Sequence, residues 1–151
     1  LGRTDVALRL DTLPAIALPV ASVFASPLRR ARRTAALLFP FREMTILDGL
    51  AERDLGEWDG LSWEAVQHGW PDLARQAEFD WLGTTPPKGE SWPTLIARVT
   101  PAFHQMCRAE KPIAVVAHVG VNAALAELIA GRNPMEFRQD YLEVLTLELE
   151  S

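Results

Sequence analysis

A segment at residues 26–35 places four arginines in the first turns of a predicted helix. On this helix Arg30 flanks the apolar stripe, whereas Arg29 and Arg32 point elsewhere. A guanidinium group can bind phosphate with two parallel N–H donors, and a helix N-terminus also attracts anions. Arg30 is therefore the candidate phosphate ligand. The alternative is that all four arginines form a solvated face.

A histidine directly follows a second apolar segment. Residues 113–117 are predicted to form a buried strand, and His118 and Gly120 to form a turn whose backbone can approach a ligand closely. Histidine at a strand end is more often a hydrogen-bonded core or turn residue, but proximity to Arg30 favours phosphate binding here. His68 and His104 lie within predicted helices, and we assign them to the surface or to packing.

A glycine-punctuated loop at residues 50–60 carries four carboxylates within eight residues. The leaving alkoxide of a phosphate ester needs a proton, which a carboxyl group with a raised pKa can supply. The loop therefore offers a candidate general acid, although such loops are more often solvated surface. The four residues are Glu52, Asp54, Glu57 and Asp59.

All five tryptophans fall within residues 58–92. Two interpretations are equally favoured at this point. The tryptophans form either a lid over a site or the core of a helical insertion at about 61–92. The residues are Trp58, Trp63, Trp70, Trp81 and Trp92.

Two segments share the plan of an apolar strand, a polar loop and an amphipathic helix. The first predicts a strand over 20–25 and a helix over 28–38, with Ser26 able to cap the helix and Pro27 suited to its first position. The second joins the strand over 113–117 to a helix over 121–130 that stops at Gly131. The remaining predictions are strands over 45–47 and 141–149 and helices over 62–68, 72–81 and 91–109.

Alternation of strands and helices predicts an α/β fold, a three-layer α/β/α domain with a mostly parallel sheet. Ligands bind to such sheets outside the carboxyl ends of the strands. The Arg30 segment and His118 each follow a strand end, so we expect them to share one crevice.

Composition narrows the class of protein. A length of 151 residues suits one domain, and a net charge of -5 argues against nucleic-acid binding, which needs clustered Lys and Arg. A single cysteine, Cys107, cannot form an internal disulfide, and the apolar stretch over 14–25 is shorter than the roughly 20 residues that a membrane span requires. We therefore expect a cytoplasmic protein that binds neither nucleic acid nor membrane.

In their order along the chain, these motifs resemble the histidine phosphatase superfamily, also called the phosphoglycerate mutase-like family. Residues 2–5 resemble its substrate-side loop, 26–35 its second-arginine motif, 52–60 its acid-bearing loop and 115–121 its second-histidine strand and turn. The tripeptide at 89–91, Gly-Glu-Ser, also matches a recurrent family sequence. Within the family, the likeness is greatest to α-ribazole phosphatase and broad-specificity phosphatases.

The resemblance implies a phosphomonoester hydrolase that acts through a phosphohistidine intermediate and needs no metal or other cofactor. Its substrate would be a small-molecule phosphate ester, with α-ribazole 5′-phosphate, a compound of cobalamin assembly, as one candidate. The resemblance also implies that Arg30 and His118 bind the phosphoryl group and that Glu52 is the proton donor and then the base. The implied substrate-binding groups are Arg3, Thr4 and the backbone N–H of Val119.

One family feature is missing from the sequence. The family's nucleophile is the histidine of an Arg-His-Gly motif at the end of the first strand, and no such motif occurs here. Without it no phosphoenzyme forms, and without the first strand the sheet would expose unpaired backbone groups. We therefore expect residues before Leu1 to complete the single domain of 1–151.

Two alternative functions and one possible assembly stay open at this stage. A phosphoglycerate mutase-type phosphotransferase would use the same residues and retain the phosphoryl group. A catalytically inactive relative would only bind a phosphorylated ligand. The protein could also form a homodimer.

Overall fold

The computed structural model, which describes residues 2–4, 19–140 and 143–148, contains a sheet of three parallel strands. Strand β1 (Ser22–Ala25) lies between β2 (Thr45–Ile46) and β3 (Ile113–Val116). Ala25 is opposite both Ile46 and Val116, so the carboxyl ends of the three strands lie at one edge. The predicted α/β fold with a parallel sheet is confirmed.

Five α-helices accompany this sheet in the described part of the chain. In α4, buried Leu95, Val99, Ala102 and Met106 recur at helical spacing, which explains why this segment is an amphipathic helix. Ser91 caps it, because its Oγ accepts a hydrogen bond from Thr94 N at 3.2 Å. The helices are α1 (Arg29–Leu38), α2 (Trp63–Gly69), α3 (Pro71–Phe79), α4 (Trp92–Cys107) and α5 (Val119–Ala130).

The main core lies between the sheet and helices α4 and α5. Phe24 of β1 packs in one cluster with the apolar faces of both helices. A 3₁₀ turn at Asp48–Leu50 adds the fully buried Leu50 to this cluster. This packing holds β3, α5 and the loop after Leu50 in fixed relation to one another. The buried members are Phe24, Leu47, Leu50, Leu95, Val99, Ala102, Met106, Val121, Ala124 and Leu125.

A second, smaller core contains part of the tryptophan-rich segment. Trp58 is only 3% exposed and packs with Val66 of α2 and with two alanines of α3. Trp63 and Trp81 pack against it, with ring centroids 6.0 and 6.3 Å from that of Trp58. Trp58 is therefore a core residue, and the role of the segment as an insertion or a lid stays a prediction.

Element ends differ from their predicted positions by at most two residues, and two of these differences matter. Ser26 does not cap α1, because the residue at the cap position is Leu28. The backbone N–H of Leu28 donates a hydrogen bond to Ser26 Oγ at 3.3 Å. Helix α5 begins at Val119 rather than Val121, so the predicted turn is the first helical turn and His118 is the residue that precedes it. The backbone N–H of Asn122 donates to the carbonyl of His118, so the helical hydrogen bonds begin at His118 and no separate turn precedes the helix.

The predicted closing strand over 141–149 is not observed in its described part, residues 143–148. Residues 141, 142 and 149 lie outside the described residues. Alternating hydrophobicity specifies which side chains share a face, but a strand forms only where a neighbour satisfies its backbone groups. In the described sheet, β1 is the only partner of β3, so the other edge of β3 has no described neighbour.

None of the helices in the described ranges is long and apolar enough to cross a membrane.

Substitution of Leu95 tests the main core. Leu95→Ala should reduce the free energy of unfolding by about 2–5 kcal/mol, because it removes a fully buried side chain and leaves a cavity. The matched control is Leu61→Ala, at a residue that is 38% exposed, which should cost less than about 1 kcal/mol. Urea denaturation measures both, and equal losses would contradict the assigned core.

Candidate active site

Glu52 lies in the loop after the 3₁₀ turn, and its carboxyl group faces the start of α5. Its Oε1 accepts a hydrogen bond from the backbone N–H of Arg53 at 2.8 Å, and its Oε2 accepts one from Gly120 at 3.3 Å. Burial raises the pKa of this carboxyl group above 4.5, and these N–H bonds and the charge of Arg30 oppose the rise without cancelling it. A carboxyl group that keeps its proton more readily than usual is suited to general acid catalysis.

Gly120 allows this approach. A Cβ atom at position 120 would lie 2.6 Å from Oε1 of Glu52, which is too close for any other residue without a shift of one group. The absence of a side chain at Gly120 therefore allows the Glu52 carboxyl group to reach the backbone. The sequence predicted a close approach of the Gly120 backbone to a ligand, whereas the group that it approaches in the structure is the carboxyl group of Glu52.

His118 is 7% exposed and sits at the carboxyl end of β3. Its Nε2 is hydrogen-bonded to Oγ of Ser26 at 2.7 Å, and Ser26 is fully buried just past the end of β1. Ser26 N in turn donates to Val116 O at 3.0 Å. The ends of β1 and β3 thus meet as the sequence predicted, and Ser26 of the 26–35 segment is the residue that contacts His118.

Arg30 extends from the first turn of α1 toward the chain segment at residues 2–4. Its Nη1 and Nη2 donate to the carbonyls of Thr4 and Gly2, each at 2.7 Å. Its charge also acts on the Glu52 carboxyl group. The structure therefore brings Arg30, Glu52 and His118 into one region although 88 positions separate the first from the last.

Arg3 and Thr4 have protein partners here. Arg3 Nε donates to the carbonyl of Glu52 at 3.0 Å, and its Nη1 lies 3.2 Å from Oδ2 of Asp54. The backbone N–H and the hydroxyl of Thr4 both donate to Oδ1 of Asp59, at 3.1 and 2.8 Å. The substrate-binding role of these two residues stays a prediction, and the observed contacts fasten their segment to the acidic loop.

The four carboxylates of that loop have different surroundings. Asp54 and Asp59 are engaged with Arg3 and Thr4, as described above. Glu57 is exposed and pairs with Lys88 at 2.6 Å. Only Glu52 combines a buried carboxyl group, a raised pKa and a contact with α5 among these four residues.

A buried network behind the loop was not expected from the sequence. The carboxylate of Glu90 accepts two hydrogen bonds from Arg98, from Nε at 2.8 Å and from Nη2 at 2.9 Å. Burial would raise the pKa of Glu90, but its hydrogen bonds to Arg98 and the charge of that residue outweigh burial and lower it. The only earlier signal was the Gly-Glu-Ser tripeptide.

Arg53 is the second unexpected residue, with only 3% of its surface exposed. Its guanidinium group donates to the carbonyls of Glu90, Trp81 and Thr84, at 2.9, 3.1 and 2.9 Å. It also lies 5.8 Å from the ring centroid of Trp81. Arg53 thereby connects the acidic loop to the tryptophan-rich segment.

An open cleft of about 340 Å³ borders the start of α5. Val119 and Gly120 form one wall, the end of α3 forms another, and residues 134–138 form a third. Because Gly120 also contacts Glu52, the cleft lies beside the candidate acid. Its aromatic lining residues are Phe79, Trp81, Trp92 and Phe137.

Within the described residues, no three His, Cys, Asp or Glu side chains lie close enough together to hold a metal ion.

Comparison with known proteins identifies the family. Residues 2–151 match the family model of the histidine phosphatase superfamily, branch 1. The chain therefore belongs to the histidine phosphatase superfamily, which confirms the assignment made from its motifs.

Individual relatives differ in how much of their length the chain covers. The 6-phosphofructo-2-kinase/fructose-2,6-bisphosphatase of Arabidopsis thaliana is 30% identical over 129 residues, which is 84% of this chain and 17% of that protein. A bifunctional protein of Mycobacterium tuberculosis is 35% identical over 85 residues, 53% of this chain and 22% of that protein. The chain thus spans about a fifth of these curated relatives.

The chain also covers only part of the similar solved structures, although the share is larger than for the curated relatives. The mycobacterial glucosyl-3-phosphoglycerate phosphatase in complex with inorganic phosphate superposes with a TM-score of 0.66 and 28% identity, over 75% of this chain and 60% of that one. A candidate alpha-ribazole-5′-P phosphatase from Escherichia coli superposes with a TM-score of 0.69 and 23% identity, over 80% and 61%. This second likeness shows the fold alone.

The raised pKa of Glu52 predicts a pH-dependent effect on stability. Between the unfolded and folded pKa values the folded state binds more protons, so the contribution of Glu52 to stability falls as pH rises. Glutamine does not titrate. Relative to wild type, the unfolding free energy of Glu52→Gln should therefore increase as pH rises from 4.5 through the folded pKa of Glu52. Urea denaturation across this range measures the difference, and a difference independent of pH would contradict the raised pKa.

Proposed function

We propose that the intact protein is a phosphomonoester hydrolase that acts through a phosphohistidine intermediate. The observation that carries this proposal is the meeting of a buried, readily protonated Glu52 with His118 and the start of α5. Family membership supports the same chemistry. The nucleophilic histidine is proposed to lie in residues that precede Leu1.

Phosphate binding is assigned to Arg30, His118 and the backbone N–H of Val119. Arg30 holds two guanidinium donors toward backbone carbonyls, and in the proposed complex phosphoryl oxygens take the place of these acceptors. Val119 is the first residue of α5, where the N-terminal N–H groups favour an anion. These groups would stabilise the charge on the phosphoryl oxygens in the transition state.

Glu52 is assigned both proton transfers. In the first step the nucleophilic nitrogen bonds to phosphorus, the ester P–O bond breaks, and the Glu52 carboxyl group gives its proton to the leaving alkoxide. In the second step the Glu52 carboxylate takes a proton from water, the water oxygen bonds to phosphorus, and the P–N bond breaks. Phosphate is released and both residues return to their starting protonation states.

α-Ribazole 5′-phosphate is the first substrate to test, in a cytoplasmic protein. The sequence motifs suggest it, and the aromatic lining of the cleft beside Glu52 fits a ring-bearing alcohol. Other named substrates among the similar proteins are phosphate esters of different alcohols.

A second candidate function is phospholigand binding without catalysis, which the phosphate ligands assigned to Arg30 and His118 would serve equally well. Intact-mass measurement and N-terminal sequencing of the native protein decide between the two. A preceding segment with Arg-His-Gly supports the hydrolase, and a native chain without it supports the binding protein. Product analysis then separates a hydrolase, which releases inorganic phosphate, from a mutase, which retains the phosphoryl group.

Glu52→Gln should reveal the general acid through its dependence on the leaving group. In the intact protein we expect kcat/KM for phenyl phosphate, which reports only formation of the phosphoenzyme, to fall by about 10²–10⁴-fold, because the departing oxygen loses its proton donor. The loss for p-nitrophenyl phosphate should be much smaller, because that leaving group is a weaker base. The matched control Glu57→Gln, at the exposed residue paired with Lys88, should leave both rates unchanged. Equal losses for both substrates would contradict the acid role.

His118→Ala tests phosphate binding. We expect a loss of about 100-fold in kcat/KM, comparable to removal of one donor to transition-state charge. His104→Ala is the control, since His104 is exposed on α4. Steady-state rates with p-nitrophenyl phosphate measure both variants, and an unaltered rate in His118→Ala would overturn the assignment.

A further inference from the structure

Glu90 stands between two arginines that reach the same backbone group. Arg98 binds its carboxylate with two hydrogen bonds, and Nη2 of Arg3 lies 3.6 Å from Oε2. Both arginines also donate to the carbonyl of Glu52, from Arg3 Nε at 3.0 Å and from Arg98 Nη2 at 3.4 Å. The carboxylate of Glu90 is thus connected to the main chain of Glu52 through two different arginines, Arg3 and Arg98.

The same network holds the backbone on both sides of Glu52. Before it, Arg98 Nη1 donates to the carbonyls of Gly49 and Ala51, at 2.8 and 3.0 Å. After it, the N–H of Asp54 donates to Oε2 of Glu90 at 3.3 Å, and the N–H of Glu90 donates to the carbonyl of Asp54 at 2.8 Å. This irregular loop has no ladder of its own, so these contacts satisfy its backbone groups and define its path.

Fold stability alone is a weak reason for such a network. Burial of an ion pair costs desolvation energy that its attraction often only offsets, and apolar residues of similar volume commonly serve stability as well. What the charged pair supplies is directional hydrogen bonds in a fixed fork. Here those bonds reach the carbonyls of Ala51 and Glu52, so they hold the main chain from which the Glu52 side chain extends.

We propose that Glu90 is a positioning residue for catalysis: it orients Arg98 and Arg3, and these hold the main chain of Glu52 so that its carboxyl group meets the start of α5 at Gly120. This inference rests on the proposed function, in which Glu52 is the general acid. It adds a residue that touches neither substrate nor reacting atoms.

Charge gives the proposal a second consequence. The positive groups near Glu52 are Arg30 from α1, Arg53 from its own loop, and Arg3 and Arg98, while His118 lies before α5. Glu90 offsets the last two arginines. Without the negative charge of Glu90, Arg98 loses its carboxylate partner and Arg3 keeps only Asp54. The excess positive charge favours ionised Glu52, so the general acid would lose its proton at lower pH.

The test is Glu90→Gln in the intact protein, assayed with phenyl phosphate and p-nitrophenyl phosphate across pH. We expect the rate constant of phosphoenzyme formation from phenyl phosphate, measured in a single turnover, to fall on the order of tenfold, below the hundredfold that a misplacement of 1 Å can cost, with KM within about twofold. The loss for p-nitrophenyl phosphate should be smaller. The alkaline limb of the pH profile of this rate constant should move to lower pH, because phosphoenzyme formation needs protonated Glu52.

Two further variants separate positioning from general structural support. Glu57→Gln makes the same chemical change in the acidic loop, at a residue outside the network, and should leave rates and the pH profile unaltered. Arg98→Lys keeps the positive charge but loses the fork. It should reduce the rate constant of phosphoenzyme formation more for phenyl phosphate than for p-nitrophenyl phosphate, while the alkaline limb stays in place.

The outcomes are distinct. Equal losses for the two substrates, or a change confined to KM, in Glu90→Gln would show that Glu90 only supports packing and would overturn the proposal. If Glu90→Gln does not fold, the ratio of the two losses in Arg98→Lys decides in the same way. If Glu52→Gln itself shows no dependence on the leaving group, the proposed function fails first, which is distinguishable from a failure confined to Glu90.

Discussion

The contact between the Glu52 carboxyl group and the backbone N–H of Gly120 is the interaction on which the rest of the site depends. It requires a helix that starts immediately after β3, a residue without a side chain in that helix's first turn, and an acidic loop that reaches across to it. A helix N-terminus normally favours a negative charge nearby. Burial outweighs this effect at Glu52, so the carboxyl group keeps its proton more readily than an exposed one.

Around this contact, arginine side chains donate hydrogen bonds to backbone carbonyls of segments that are neither helix nor strand. The acidic chain, with a net charge of -5, directs several guanidinium groups at main-chain carbonyls of irregular segments. A guanidinium group carries five donors in a rigid fork, so one residue can hold two or three carbonyls in fixed geometry. The arginines with such contacts include Arg3, Arg30, Arg53 and Arg98.

The two hydrophobic clusters place these polar groups. The larger cluster joins β1 to α4 and α5, so it sets the distance between Arg98 and the start of α5. The smaller cluster, centred on Trp58, positions the carbonyls of Trp81 and Thr84 that receive Arg53. Apolar packing thus determines where the hydrogen-bonding network can form, and the network then determines where Glu52 points.

The sequence by itself determined the strand and helix units, because hydrophobic periodicity and turn residues act over a few positions. Its motifs gave the family, and the end of each strand placed Arg30 and His118 near one edge of the sheet. Only the tertiary structure revealed Ser26 as the partner of His118, 92 positions away, and the Glu90 network behind Glu52. The segment over 143–148 shows the same limit, because its alternating pattern needs a neighbouring strand that local sequence cannot specify. Contacts between distant residues depend on how the packed elements bring them together, and no local pattern encodes that distance.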